Sequence, residues 1–196
     1  MSDPREPELI RLVSGNVWLM LVLRRARRLH LDGRRLPDWR VFSGAVYQTV
    51  WNHSTRREPD YGLKDYDLAY FDPDLGWEAE DLWIKAASRE MGPRLAPLVE
   101  LRNQARVHLW FEERFGEPYP PLTCTDEALE RFVAPAFAVG VRFEDDGRIT
   151  VAAPFGLEDL FNMVLRPNPL RPLARGWARA VESVRARWPE VTVIEP

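Results

Sequence analysis

Asp65 and Asp67 are the residues of this chain whose type and spacing most directly suggest chemistry. They open Lys64-Asp65-Tyr66-Asp67-Leu68-Ala69-Tyr70-Phe71-Asp72, a stretch whose aromatic and aliphatic content predicts a β-strand. Successive side chains of a strand point to opposite faces, so the two acids share one face and Tyr66, Leu68 and Tyr70 the other. Their Cα atoms would then be roughly 6.5–7 Å apart. Two such carboxylates can converge on one cation, or on two cations about 3.5–4 Å apart, as in-line phosphoryl or nucleotidyl transfer uses. Burying both without a counter-charge is costly, and a divalent metal removes the cost. An acid-x-acid string alone more often marks a strand that merely starts in water, so the neighbouring elements must carry part of the argument.

Before the acids, Trp39 to Phe42 reads as a short strand that turns through Ser43-Gly44 into a helix carrying Ala45, Val46, Thr49 and Val50 at helical spacing up to His53. A strand that turns straight into a helix leaves unpaired N–H groups at the helix start, a cradle for phosphate oxygens to which Ser43 adds a hydroxyl. The ordinary alternative is a tight turn with a small N-cap. After the acids, the clearest alternation of the chain runs from Val99 to Leu109. It sets Glu100, Arg102, Gln104, Arg106 and His108 on one face, toward solvent or a phosphate-bearing ligand. Arginine outnumbers lysine 25 to 2, yet a lysine, Lys64, adjoins the acid pair, where a compact ammonium suits phosphate chemistry.

These blocks resemble a known family. Ser43-Gly44-Ala45, Val50-Trp51-Asn52-His53, Lys64-Asp65-Tyr66-Asp67 with Tyr70-Phe71-Asp72, Asn103 to Trp110, Ala153 to Leu160 and Arg166-Pro167-Asn168-Pro169 look like a family of uncharacterised bacterial proteins in the DNA polymerase β-like nucleotidyltransferase superfamily. The resemblance runs from about Pro37 to Pro169. It implies an α/β (α+β) fold with a small mixed β-sheet flanked by helices, a turn for the triphosphate, and metal-binding acids on the neighbouring strand. The expected activity is Mg²⁺- or Mn²⁺-dependent transfer of a nucleoside monophosphate from a nucleoside triphosphate to an acceptor that is a small molecule, an RNA or a protein. Asp65 and Asp67 would hold the metals, Ser43 and Gly44 the β and γ phosphates, and Lys64 or Arg106 would offset developing charge. The superfamily chemistry calls for a third carboxylate. Glu100, set between Val99 and Leu101, is the expected one, and His108 is its rival, although a histidine suits Mg²⁺ poorly. The chain departs from the superfamily pattern at Ala45, where a second Gly or Ser is usual. That departure keeps open a nucleotide-binding or regulatory module without turnover; a metal-dependent phosphohydrolase is a third, weaker reading.

The remaining sequence reads as scaffold. A chain of 196 residues with 45% apolar content suits one domain: an N-terminal helix over 1–35, a core over 37–110 carrying the turn and the acids, and an accessory hairpin with helices over 111–196. One long helix is expected from Glu8 to about Leu29, stopped by Asp32-Gly33. A second runs from Trp77 to Met91 with Leu82, Ala86 and Trp83 as candidate inward residues and Gly92-Pro93 closing it, a hairpin forms around Asp145-Asp146-Gly147, and helices cover Leu157 to Leu165 and Leu173 to Trp188. Arg171, Arg175 and Arg179 repeat at i, i+4, i+8 and would form a one-sided stripe fit for an acidic acceptor, though a salt-bridged surface is the commoner outcome. The net charge of −3 gives no strong nucleic-acid signal. The single cysteine, Cys124, removes disulfide and multi-cysteine zinc frameworks, and with no membrane-length apolar run the expectation is a cytoplasmic protein.

Overall fold

The computed structural model describes residues 3–171 and 174–196. In chain order it holds helices α1 (Glu6–Gly15) and α2 (Val17–Arg28), strands β1 (His30–Leu31), β2 (Arg34–Arg35) and β3 (Trp39–Phe42), and helix α3 (Gly44–Ser54). Strand β4 (Tyr66–Tyr70), helix α4 (Trp77–Leu95), strand β5 (Val99–Asn103) and helix α5 (Phe111–Phe115) follow. The rest comprises β6 (Gly140–Phe143), β7 (Ile149–Ala152), α6 (Glu158–Phe161), β8 (Val164–Leu165), α7 (Trp177–Arg187) and β9 (Thr192–Val193). No helix among the described residues is long and apolar enough to cross a membrane.

A five-stranded mixed sheet of order β5-β4-β3-β6-β7 organises the molecule, with β4 and β5 parallel and the other neighbours antiparallel. The expected hairpin around Asp145-Asp146-Gly147 is β6–β7, and it is not an accessory, because β6 pairs with β3 in the middle of the sheet. Alternation divides the two faces. Trp39, Val41, Tyr66, Leu68, Tyr70, Leu101 and Val141 enter the main core with α1 to α4, whereas Phe42 and Ala69 join a smaller cluster with Leu122, Ala128, Leu129 and Ala138 on the opposite face. That second face carries Asp67 and Glu100.

Several sequence expectations yield to local chemistry. The single first helix is two, because Asn16 is extended, accepts a hydrogen bond from the Leu19 N–H as an N-cap, and donates its side-chain amide to Thr49 Oγ1 at 2.9 Å. Asp32 and Gly33 do more than stop a helix: both have positive φ, 49° and 75°, and turn the β1–β2 hairpin. On α4, Trp83 and Ala86 are buried as expected, with Ala87 and Met91 beside them, whereas Leu82 is 49% exposed and leaves the inward face. Gly92, at φ 66° and ψ 174°, breaks the helical path where Gly92-Pro93 was expected to close it, and a further turn reaches Leu95. After Phe161 the chain turns at Met163 into β8, which pairs with β9, so the expected helix to Leu165 is one short turn. The last helix begins at Trp177; Leu173, its expected start, lies outside the described residues.

Candidate active site

Asp67 occupies the second position of β4 and is the ladder partner of Phe42 on one side and Glu100 on the other. All three side chains therefore rise from the face away from the α1–α4 core. Asp65, exposed, sits one residue before the strand begins. Burial first, and then the neighbouring charges of Asp65 and Glu100, push the Asp67 carboxyl up to about 7, against a smaller opposing pull from Arg102. Asp67 has no hydrogen bond or ion pair to a described residue that would offset this. The Glu100 carboxylate is instead held by Arg102 at 2.6 Å.

Three oxygen-bearing acids, of which Asp65 and Glu100 add to the upward shift of Asp67, form a donor set suited to a hard divalent cation, and in that respect the residues fit Mg²⁺ or Mn²⁺. Among the described residues no three His, Cys, Asp or Glu side chains form a ready-made metal cage. Glu100 would have to exchange Arg102 for the cation.

The Ser43-Gly44 turn follows Phe42 directly, and Phe42 pairs with Asp67, so the antiparallel ladder brings the α3 start beside the acids. Ser43 takes a left-handed backbone, φ 46° and ψ −102°, uncommon for a residue with a Cβ. It is therefore Ser43, and not Gly44, that carries the special dihedral. The Ser43 N–H is committed to the Val139 carbonyl at 2.8 Å, and its own carbonyl accepts the Val46 and Tyr47 N–H groups. The next two N–H groups, of Gly44 and Ala45, lie in the first turn, where the helix offers them no acceptor. A Cβ on Gly44 would meet only Gln48 Nε2 at 3.4 Å, an ordinary contact.

Of the other expected ligand residues, Lys64 is exposed one residue before Asp65. Arg106 and His108 are not brought to the acids. β5 ends at Asn103, whose side chain accepts the Ala105 N–H and starts a 3₁₀ turn over Gln104–Leu109, so the alternation that placed Gln104, Arg106 and His108 beside Glu100 stops there. Arg106 is spent elsewhere: its Nε pairs with buried Glu80 Oε2 at 3.0 Å and its guanidinium donates to the Leu75 carbonyl at 3.1 Å. His108, its Nδ1 buried without a partner among the described residues, does not line the cavity over the acids.

That cavity, about 590 Å³, is the part of the site that the sequence conceals. Phe42, Asp67, Leu68, Ala69, Glu100 and Arg102 line it from the sheet; the remaining described lining comes from residues between Gln104 and Val133 and from Arg171, Arg175, Gly176 and Arg179. Gly140, the ladder partner of Phe42, makes room there, since a Cβ on it would stand 3.0 Å from the Phe42 ring. Trp110, Phe111, Phe115 and Tyr119 supply aromatic surface, and Arg114, Arg131, Arg171, Arg175 and Arg179 supply charge. Only the last three stand out in the sequence, as a stripe at helical spacing; Arg171 and Arg175 in fact precede α7. The i, i+3, i+4 spacing of Phe111, Arg114 and Phe115 is the signal that could have found α5.

A family model described as nucleotidyltransferase matches residues 30–193 of this chain. Among solved structures, one described as "The NMR structure of the protein reveals a CCA-adding enzyme head domain" superposes with a TM-score of 0.72 at 22% identity, covering 97% of this chain and 96% of that one. A likeness at that identity establishes the fold. No curated protein sequence matches the chain.

Proposed function

This chain belongs to the nucleotidyltransferase family, and from that membership we propose that it transfers a nucleoside monophosphate from a nucleoside triphosphate to an acceptor, with Mg²⁺ or Mn²⁺ held by Asp65, Asp67 and Glu100. One observation carries the reading: Asp67, crowded by Asp65 and Glu100 and left without a hydrogen-bonded counter-charge, faces a cavity of nucleotide size. When bound, the cation supplies charge neutralisation at the reacting phosphoryl group.

The chain's own groups would do the positioning. The Gly44 and Ala45 N–H groups at the α3 start, with the helix dipole behind them and the Ser43 hydroxyl beside them, donate to the triphosphate tail. Lys64, next to Asp65, is the mobile ammonium for the departing pyrophosphate. Arg102, once Glu100 turns to the cation, is released on the same face to meet a phosphate oxygen. The acceptor oxygen bonds to the α-phosphorus as the bond to the β-phosphate oxygen breaks and pyrophosphate leaves, and a hydroxyl acceptor gives up its proton to water. The acceptor itself is a small molecule, an RNA or a protein.

Label transfer tests this. Protein incubated with α-labelled triphosphates, Mg²⁺ and cell extract should pass label to a discrete acceptor, and Asp67→Asn should not. Metal-dependent binding with no transfer in any extract would contradict the reading and leave a nucleotide-binding module without turnover, the outcome that Ala45 foreshadows.

A further inference from the structure

The charges lining the cavity do not balance. Six arginines meet three carboxylates, and two pairs neutralise each other, Arg102 with Glu100 and Arg171 with Glu117. Arg114, Arg131, Arg175 and Arg179 remain against Asp67 alone, and none of the four forms an ion pair with a described residue. Arg114, Arg175 and Arg179 are exposed, while Arg131 is half-buried with its Nε lacking a hydrogen-bond partner among the described residues. The wall is nevertheless fixed: Arg171 also donates to the Arg131 carbonyl, and Glu117 accepts the Arg175 N–H at 2.5 Å. Uncommitted guanidinium groups on a fixed concave surface favour a phosphate, whose oxygens they can meet two at a time.

Aromatic rings line the same wall. Phe111 lies 4.6 Å from Tyr119 and 4.7 Å from Phe115, centroid to centroid, and Arg114 stands over the Phe115 and Trp110 rings at 5.3 and 5.8 Å. Such a group of rings accepts a planar ring by stacking. Neither Ser43 nor Gly44 lines this cavity, so the triphosphate turn and the arginine wall are separate places served by one set of acids.

We propose, resting on the nucleotidyl-transfer reading above, that the arginine and aromatic wall is the acceptor site and that the acceptor is a small phosphomonoester bearing a planar ring, with the chemistry of a nucleoside 5′-monophosphate. The cavity volume falls within the 300–1,000 Å³ range typical of small-molecule sites. The phosphate anchors the acceptor on Arg114, Arg131, Arg175 and Arg179, and the ring settles against Trp110 and Phe111. Its reactive oxygen is then directed toward Asp67 and Glu100.

Calorimetric titration with adenosine 5′-monophosphate, in saturating Mg²⁺ and a non-hydrolysable triphosphate analogue, tests the assignment. The monophosphate should bind as a second equivalent at least ten-fold tighter than adenosine. Arg114→Gln with Arg179→Gln, neither in an ion pair, should leave the melting temperature in place and weaken it at least ten-fold. Competition for a single site, equal binding of adenosine, or an unmoved affinity in the double variant would overturn the proposal. So would a short RNA that binds ten-fold tighter than the monophosphate. Repeating the titration with Asp67→Asn in chelator separates the two readings. Monophosphate binding that persists there supports the phosphate site, whatever becomes of Mg²⁺-dependent triphosphate binding; its loss there contradicts the site alone.

Discussion

Asp67 and Glu100 are ladder partners on the parallel strands β4 and β5, so their carboxylates leave the same sheet face one strand spacing apart, about 4.8 Å at the backbone. Asp67 bears the electrostatic penalty, with a carboxyl raised to about 7 by burial and by its acidic neighbours.

That penalty makes the stability of the metal-free protein depend on pH. Folded Asp67 holds a proton up to about pH 7, whereas the unfolded chain releases it near pH 4. The folded state therefore binds more protons across that window, and stability falls as pH rises through it, with the loss complete above about 7. Asp67→Asn should flatten this part of the profile and raise the melting temperature at pH 8. The gain should be roughly 1–3 kcal/mol, below the full linkage value because part of the group meets solvent. Thermal melts in chelator at pH 5 and pH 8 check it; an equal effect at both pH values contradicts it.

Ser43 offers a split between stability and binding. Its φ of 46° is one that glycine adopts freely, so Ser43→Gly should stabilise the fold by about 1 kcal/mol while deleting the hydroxyl proposed for the triphosphate. A higher melting temperature with several-fold weaker triphosphate binding is the expected result. Unchanged affinity would remove Ser43 from the phosphate cradle.

Gly44→Val tests the helix start by steric means. The fold has room for the new Cβ, and the dihedral at Gly44 is not in the left-handed region. The melting temperature should move little, while triphosphate affinity falls at least ten-fold and nucleoside affinity holds, because only the phosphates need close approach to the backbone. Equal losses for both ligands would mean that the turn does not hold phosphate.

Arg106 should prove structural. Arg106→Leu leaves Glu80, 5% exposed, without its cation, at a cost of roughly 3–5 kcal/mol for a buried pair broken on one side. Urea denaturation should show that loss, while the folded variant keeps its triphosphate affinity. A binding defect in folded protein would return Arg106 to the site.

What the sequence revealed follows the range of the interactions involved. Strand β3, the start of α3 and the acid pair rest on local periodicity, and Trp39 to Phe42 forms the strand its residues predict. The place of Glu100 beside Asp67 was legible because an acid between Val99 and Leu101 on a core strand has one face to occupy. Beyond Asn103 the same parity misled, since one side-chain cap ends the strand and turns Arg106 toward Glu80. Asn16 misled in the same way by dividing the first helix. The arginine wall was legible only in part: Arg171, Arg175 and Arg179 show in the sequence as a stripe, but Arg114 and Arg131 join them only through long-range packing, which no local pattern announces.

The central claim is that Asp65, Asp67 and Glu100 hold a divalent cation for a bound triphosphate, and calorimetric titration of a nucleoside triphosphate with and without Mg²⁺ tests it most directly. The wild-type protein should bind in a Mg²⁺-dependent manner, and Asp65→Asn with Asp67→Asn, which keeps the side-chain shapes but removes two charges, should abolish the Mg²⁺-dependent part while the protein stays folded. Equal Mg²⁺-dependent affinity in the parent and the double variant would contradict the account.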